Sequence, residues 1–404
     1  MESYTGRKIA IDASMAMYQF LVAVRSNGPG GQVSMLTNEA GDVTSHIQGM
    51  FNRTIKMMTS GIRPVYVFDG KPPQLKGGEL AKRLARREKA EADLAQAKDA
   101  GEADDVDKFS RRLVKVTRQH NDECKELLTL MGVPYLNAPC EAEAQCAELA
   151  RKNKVYATAT EDMDALTFQT PKLVRKLTLS QSSKEKQPIL EIDFNSVLRG
   201  LELTYEQFVD LCILCGCDYC STIKGIGPKT ALKLVKAHKN LENIIAFLQK
   251  DKKHEIPADW FEQRILKREL QEADKQVEEE ETEEKQDEVT VKGEAFSNIL
   301  DEEVIVNEAK EEDSKPKPST ESNEVTEDGD YEIIPPVYQQ ARLLFVQCEV
   351  TDATEIDLKW SEPNEQGLKD FLVDRMGFNV ERVESGITRL KTAQQQKSQK
   401  RMDW

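Results

Sequence analysis

The sequence predicts an α/β fold with a central, mostly parallel sheet flanked by helices. Three observations support it. Short apolar runs (KIAID, PVYVFD, VYATAT) alternate with stretches of helical periodicity, the signature of strand–helix–strand units. Acids follow these runs directly: Asp12, Asp69, and the pair Asp162 and Asp164. Open parallel sheets place their sites beyond the carboxyl ends of the strands. With 404 residues, the chain can bury a large core in one big domain or in two to three smaller ones.

Each element follows from local pattern. Residues 7–24 read as a strand followed by the helix ASMAMYQFLVAV. Residues 28–41 are Gly-rich with turn residues, 44–60 form an amphipathic helix, and PVYVFD is a strand closed by the turn GKPP. Lys82 to Arg118, rich in Ala, Lys, Arg and Glu, reads as two long helices broken near Ala100 and Gly101. Residues 122–150 give a helix, the turn GVPYLNAP, and a helix starting at CEAEA. Residues 204–220 and 228–248 are expected to be helices separated by STIKGIGPK. The stretch from about 268 to 330 holds one aromatic, Phe296, and repeated Glu runs. It cannot bury enough surface to fold and is expected to be disordered. Residues 337–391 regain apolar content (LLFVQCEV, FLVDRMGF) and should pack back on the body. A polar tail follows from about Thr392.

The net charge of −15 at first argues against a nucleic-acid partner. Its distribution reverses that. Glu269 to Asp330 carries 24 acids and 6 lysines, a net of −18, so the rest of the chain is +3. A nearly balanced body with a dense acidic site must carry its basic residues elsewhere on its surface. Eight cysteines, no signal peptide and no apolar run long enough to span a bilayer read as thiols in a reducing compartment. The run Cys212, Cys215, Cys217, Cys220 tempts a zinc reading. It lies in an apolar helical pattern, however, so buried small side chains are the plainer account. The four histidines (His46, His120, His238, His254) sit in helical, mostly charged contexts and are expected at the surface. No P-loop is present.

The chemistry rests on seven acids in five clusters: Asp12, Asp69, Glu141 and Glu143, Asp162 and Asp164, and Asp218. Converging carboxylates repel unless cations sit between them, and oxygen-only donors suit Mg²⁺ or Mn²⁺. Two such ions are the usual apparatus for cutting a phosphodiester. Each cluster also has a plainer reading: Glu141 and Glu143 suit a helix N-terminus, and Asp162 could be a cap. Lys71 to Arg118 holds 13 basic and 9 acidic residues, which fits either a solvated helical hairpin or a basic arch over the site. Lys76, Arg83, Arg86 and Arg87 follow Asp69 closely, and Arg83 and Arg87 share a helical face. Such residues can neutralise charge building on a phosphate. Gly225 to Lys229 (GIGPK) combines two glycines with Pro228 at a helix start. That suits backbone amides facing a phosphate, as it also suits an ordinary helix connection.

With these residues in hand, the chain resembles the eukaryotic flap endonucleases, structure-specific 5′ nucleases, over about residues 5–267 and 337–391. VFDGKPPQLK, RLVKVTRQHNDECK, EAEAQCAEL, ATEDMDALTF, FVDLCILCGCDYC, GIGPK and LKWSEPNE carry the resemblance. It implies a nuclease core over 1–267, with a helical arch over about 76–118 and a helix-two-turn-helix DNA-binding element over about 204–240. An acidic disordered insertion over 268–336, the rest of the core over 337–391, and a tail over 392–404 complete it. It further implies Mg²⁺, two per chain and replaceable by Mn²⁺, on the seven acids, and K⁺ at the helix-two-turn-helix. Lys76, Arg83 and Arg87 would act on the scissile phosphate. DNA would be contacted by Tyr18, Arg25, Arg53, Glu141, Asp218, Gly225, Gly227 and Lys229.

The implied activity is Mg²⁺-dependent 5′ flap endonuclease and 5′→3′ exonuclease action in Okazaki-fragment maturation and base excision repair. The implied location is the nucleus, with nucleolus and mitochondrion as further compartments. The implied partners are branched DNA with a 5′ flap and the sliding clamp (proliferating cell nuclear antigen), for a monomer with no membrane attachment. Three departures stand out. The family opens with M-G-[IV]-x-G-L, whereas this sequence starts MESYTGRK and lacks roughly twenty such residues, which puts full activity in question. The acidic stretch looks inserted. Gln399, Met402 and Trp404 copy only part of the clamp peptide, so clamp binding by that route is expected to be weak or absent. A catalytically impaired DNA-binding paralog or isoform is the alternative, and a related nuclease of RNA or DNA bubbles is a third.

Overall fold

The computed structural model describes residues 1–23, 25–27, 33–38, 41–100, 103–177, 188–266 and 331–395. Two compact units divide the chain: Met1–Ala258 with Val337–Trp404, and Asp259–Pro336. The larger unit holds the sheet. Its strands are β1 (Lys8–Asp12), the hairpin strands β2 (Arg25–Asn27) and β3 (Val33–Met35), β4 (Arg63–Phe68), β5 (Tyr135–Asn137), β6 (Ala157–Ala159), β7 (Lys172–Arg175) and β8 (Leu190–Asp193). The main sheet runs β5–β4–β1–β6–β7–β8, with β2 and β3 paired apart from it. All neighbours are parallel except the edge pair β7–β8, so the mostly parallel α/β sheet stands as expected.

Strand β1 is central because Ile9, Ala10 and Ile11 are fully buried, as strands covered on both faces require. Ile11 pairs with Tyr66 on one side and Ala159 on the other. That register sets Asp12, Asp69 and Thr160 at one end of three adjacent strands. Helices α1 (Ala13–Ala23), α2 (Ser45–Thr59) and α5 (Arg118–Leu130) bury Met17, Phe20, Met50, Phe51, Ile55 and Leu127 in the main core. The C-terminal stretch returns to the same core. Leu368, Phe371, Leu372, Val383, Ile387 and Leu390 join it, from segments that include the helices Glu365–Lys369 and Val380–Gln395.

Between β4 and α5 run α3 (Gly77–Ala100) and α4 (Ala103–Arg112), which pack on each other. This is the expected pair of charged helices with its break near Ala100. After β5 come α6 (Ala142–Arg151), α7 (Phe194–Leu201), α8 (Tyr205–Cys215), α9 (Pro228–His238) and α10 (Leu241–Asp251).

Four expectations are corrected. The turn GVPYLNAP contains a strand, because residues Tyr135–Asn137 pair with β4, a long-range gain that no local pattern displays. The helix expected over 228–248 is two: Lys239 takes φ 77° and the Asn240 side chain accepts from Asn243 N–H to cap α10. Tyr331–Ile334, expected inside the unstructured insertion, is a strand antiparallel to Gln263–Leu266 within the smaller unit. The acidic residues 267–330, Gln399, Met402 and Trp404 lie outside the described residues.

The fourth correction concerns the histidines. His46 is fully buried, and its Nε2 lies 2.7 Å from Glu123 Oε2. A carboxylate only accepts, so Nε2 carries the proton. The His120 ring lies tilted against His46, at 4.3 Å between centroids. His120 Nδ1 accepts from Thr117 N–H while Thr117 Oγ1 accepts from His120 N–H, a capping box that starts α5. Burial first, then His46, holds His120 down at about 4, with Glu123 pulling the other way.

Between pH 6.5 and 4 the unfolded chain therefore takes up a proton that the folded chain refuses. Stability present above pH 6.5 is lost as pH falls toward 4. Urea midpoints measured across this range are expected to fall with acidification. The fall should be shallower in His120→Gln, which keeps a capping-box acceptor.

Candidate metal centre

The sheet delivers carboxylates to one edge, and backbone amides hold them. Asp12 Oδ1 accepts from Met15 N–H at 2.9 Å, in the first turn of α1, and Oδ2 from the Thr160 hydroxyl at 3.2 Å. Asp69 Oδ1 accepts from Ala142 N–H at 2.9 Å, the first residue of α6. Asp162 Oδ1 accepts from Asp164 N–H at 2.9 Å. Glu141 is the N-cap residue of α6 and Glu143 lies in its first turn, as a helix N-terminus favours, whereas Asp162 is no cap: the short helix Asp164–Leu166 has Met163 at its N-cap and no side-chain cap bond. Helix N-termini favour negative charge, which offsets part of the cost of gathering these groups.

The rest of the cost is visible in the carboxyls themselves. Asp12 is buried, and burial followed by Asp69 pushes its pKa up to about 7. Burial, then Asp12, Asp69 and Asp162, pushes Glu143 well above the ordinary range. Asp164 rises to about 7 from burial, then Asp162, Asp218 and Glu141. The interactions fall into two sets: Asp12, Asp69 and Glu143 on one side, and Glu141, Asp164 and Asp218 on the other, with Asp162 acting on both.

Two cations from the basic helical segment lie on the second set. Lys76 Nζ stands 2.5 Å from Glu141 Oε1 and 3.3 Å from Asp218 Oδ2. Burial would lower Lys76, but Glu141 and then Asp218 raise it further than burial lowers it. Arg83 Nη2 is 2.8 Å from Asp218 Oδ2. Arg87, on the same face, donates to Arg83 O at 3.4 Å, and Arg86 pairs with Glu79. Among the described residues no three His, Cys, Asp or Glu side chains are grouped to hold a metal ion as they stand. The donor set nevertheless suits one. It is all carboxylate, crowded enough to raise three of its members, and partly neutralised by ammonium and guanidinium, which a hard divalent cation would complement.

Asp218 reaches this edge from the end of α8. Gly216, at φ 113°, lets the chain reverse there. Cys217 and Cys220 pair across a tight turn with Asp218 and Tyr219 at its tip. The cysteine run is thus split: Cys212 and Cys215 end the helix, Cys217 and Cys220 frame the turn, and all four are half-buried, not core. Tyr219 and Thr160 were not anticipated from the sequence. The Tyr219 hydroxyl donates to Glu141 Oε2, and burial followed by Glu141 raises its pKa. Its position beside Asp218 in CGCDY was the available signal.

The nucleic-acid candidates separate. Tyr18 on α1 is 43 % exposed. Arg53 on α2 is half-buried over the Phe20 ring, with burial lowering its pKa. Arg25 opens β2, and its side chain is outside the described residues. Lys224, Gly225, Gly227 and Lys229 are exposed, while Ile223 and Ile226 are buried beneath them. Gly225 takes φ 87°, and His254 Nδ1 meets Lys224 O at 3.1 Å. Pro228 opens α9.

Helices α8 and α10 are clamped from the C-terminal side. Arg342, on the helix Val337–Val346, donates Nε and Nη2 to Asp210 at 2.8 and 3.1 Å and Nη1 to Glu242 at 2.9 Å. Asp210 also accepts from Leu241 N–H at 3.1 Å.

Residues 1–90 match the family model of the XPG N-terminal domain, and residues 132–218 that of the XPG I-region. The chain is 46% identical over its whole length to flap endonuclease 1 of Phytophthora infestans (strain T30-4) and of Danio rerio, covering 85% and 84% of those chains. It is 49% identical to that of Phaeodactylum tricornutum (strain CCAP 1055/1), covering 86%. Two solved structures are similar. One is flap endonuclease-1 from Methanococcus jannaschii (TM-score 0.60, 27% identity, 97% of this chain and 94% of that one). The other is the catalytic core of Rad2 in complex with DNA substrate (0.57, 26%, 96% and 94%).

Removing one partner of a buried ion pair strands the other's charge, at about 3–5 kcal/mol. Arg342→Met is expected to cost about 3 kcal/mol by denaturant titration, because the arginine itself is partly solvated. Adding Asp210→Asn should recover much of the loss.

Proposed function

The chain belongs to the flap endonuclease family, and on that premise we propose that it cuts 5′ single-stranded flaps from branched DNA by metal-assisted phosphodiester hydrolysis. The observation that carries this reading is the meeting of Lys76 and Arg83, from the basic helices, with Glu141 and Asp218 of the carboxylate cluster. One side chain set thus joins a charge-neutralising clamp to a donor set for hard divalent cations.

In the proposed mechanism Asp12, Asp69 and Glu143 would hold one Mg²⁺, and Glu141, Asp164 and Asp218 the second, with Asp162 between the two sets; Mn²⁺ would be the natural substitute for either. Bound there, the ions supply Lewis acidity and charge neutralisation at a phosphodiester. Tyr219 and Thr160 fix the rotamers of Glu141 and Asp12 by hydrogen bonding, as outer partners of metal ligands do. Lys76 and Arg83 exchange their carboxylate partners for the non-bridging oxygens of the scissile phosphate and stabilise charge that builds in the transition state. Arg87 extends the same face along the 5′ strand. The exposed Tyr18 ring offers a stacking surface for the base beside the cut.

Duplex docking falls to the GIGPK turn. Its exposed glycines let a phosphate approach the amides that open α9, with Lys224 and Lys229 beside it. Arg25 and Arg53 serve as further phosphate contacts. K⁺ on the backbone of that turn, a nuclear location, and roles in Okazaki-fragment maturation and base excision repair complete the reading, with the sliding clamp at most a weak partner through the partial peptide of Gln399, Met402 and Trp404.

The test is cleavage of a labelled double-flap DNA with Mg²⁺. Asp164→Ala is expected to abolish cutting while flap binding persists, and Lys76→Ala to slow it about 100-fold, the scale of one lost charge-stabilising donor. Undiminished cutting by Asp164→Ala overturns the assignment, and unaltered cutting by Lys76→Ala removes that residue from the mechanism. A protein that binds the flap without cutting it would favour the impaired-paralog reading.

A further inference from the structure

We propose that Cys217 and Cys220 form a reversible disulfide that switches the nuclease off, a modification site built around Asp218. The inference rests on the metal-site reading above for its consequence, and on geometry alone for its chemistry. Cys217 Sγ and Cys220 Sγ lie 3.6 Å apart. The two residues pair as an antiparallel bridge, which sets their Cα atoms roughly 4.5–5.5 Å apart, inside the range that a disulfide spans. The sulfurs need to close by about 1.5 Å to reach bonding distance, a movement within the reach of side-chain rotation and a small tightening of the turn. Both residues are half-buried rather than sealed in the core, whereas Cys124, Cys140 and Cys146 are buried.

The oxidant is a low-molecular-weight disulfide, RSSR. The Cys217 thiolate attacks one of its sulfurs, forming Cys217–S–S–R and releasing RS⁻. The Cys220 thiolate then attacks Cys217 Sγ, forming the Cys217–Cys220 bond and releasing the second RS⁻. The protein gives up two electrons and two protons, and RSSR becomes two RSH. A bridge that closes so small a loop removes little entropy from the unfolded chain. It is therefore readily reduced again, as transient disulfides of reducing compartments are.

The consequence follows from what the turn carries. Asp218 faces Lys76 and Arg83, and Tyr219 holds Glu141. Both residues lie inside the ring that the disulfide closes. A metal site tolerates displacements of only about 0.2 Å in its ligands, so tightening the turn withdraws Asp218 and loosens Glu141 together.

The test treats the full-length protein with oxidised glutathione and then digests it under non-reducing conditions. The expected result is a peptide spanning Cys217 and Cys220 lighter by two hydrogens. Flap cleavage should fall at least tenfold, Mn²⁺ binding should weaken, and dithiothreitol should restore both. Reduced Cys217→Ser, or Cys220→Ser should the first variant fail to fold, should cut like the reduced wild type and ignore the oxidant. Thiols at 217 and 220 that both remain open to alkylation would overturn the proposal. So would a bond mapped instead to another pair of cysteines, or a mapped Cys217–Cys220 bond with cleavage and Mn²⁺ binding unchanged. If the reduced protein does not cut flaps, the functional reading fails by itself, and the peptide map and Mn²⁺ binding still decide the switch.

Discussion

Seven carboxylates brought to one end of a sheet repel one another, and the rest of the molecule is organised around that repulsion. The parallel register of β1 with β4 and β6 makes the crowding unavoidable, because it aligns Asp12, Asp69 and Thr160 on adjacent strands. The chain answers with three kinds of positive potential. Amides in the first turns of α1 and α6 reach Asp12 and Asp69. Hydroxyls from Thr160 and Tyr219 reach Asp12 and Glu141. Lys76 and Arg83 descend from the basic segment onto Glu141 and Asp218. Asp12 and Asp164 are still pushed up to about 7. The balance is incomplete, and a carboxyl whose charged form is disfavoured in this way gains from a nearby cation.

The same economy explains why one end of the basic helices meets the carboxylate cluster. A pair of helices with a slight excess of positive charge could sit anywhere in water at little cost. What distinguishes α3 is that its N-terminal end is anchored electrostatically: Lys76 just precedes it, and Arg83 lies within its first two turns. Farther along, Arg86 and Arg111 turn to acids of the same pair of helices, Glu79 and Asp107. Only the end near the sheet is committed to the cluster.

Much of this was legible in the amino-acid sequence, for a physical reason. Strands β1 and β4 announce themselves because burial on both faces leaves an apolar run, and an acid at the end of such a run is costly enough to need a purpose. Features sustained by distant partners left no such trace. Strand β5 is three residues long and exists through its pairing with β4. His46 sits in a polar stretch, and its burial depends on Glu123, 77 residues away. The break at Lys239 rests on one residue in a left-handed conformation followed by an Asn cap, a local signal that is readable but was outweighed by the apolar pattern running through it. Tyr219 read as part of a hydrophobic helix because the apolar pattern runs through Gly216, the helix-ending glycine after Cys215.

The Arg342 clamp also fixes an order of events during synthesis. Asp210 and Arg342 are 132 residues apart. At about 5–20 residues per second, the ribosome emits the arginine about 7–26 seconds after the aspartate. Until then α8 and α10 carry a carboxylate that must either stay wet or stay protonated. Helices α8 and α10 therefore cannot settle into their final packing on a half-made chain. The late arginine thus braces two helices made well before it, and their final packing waits on the C-terminal part of the chain.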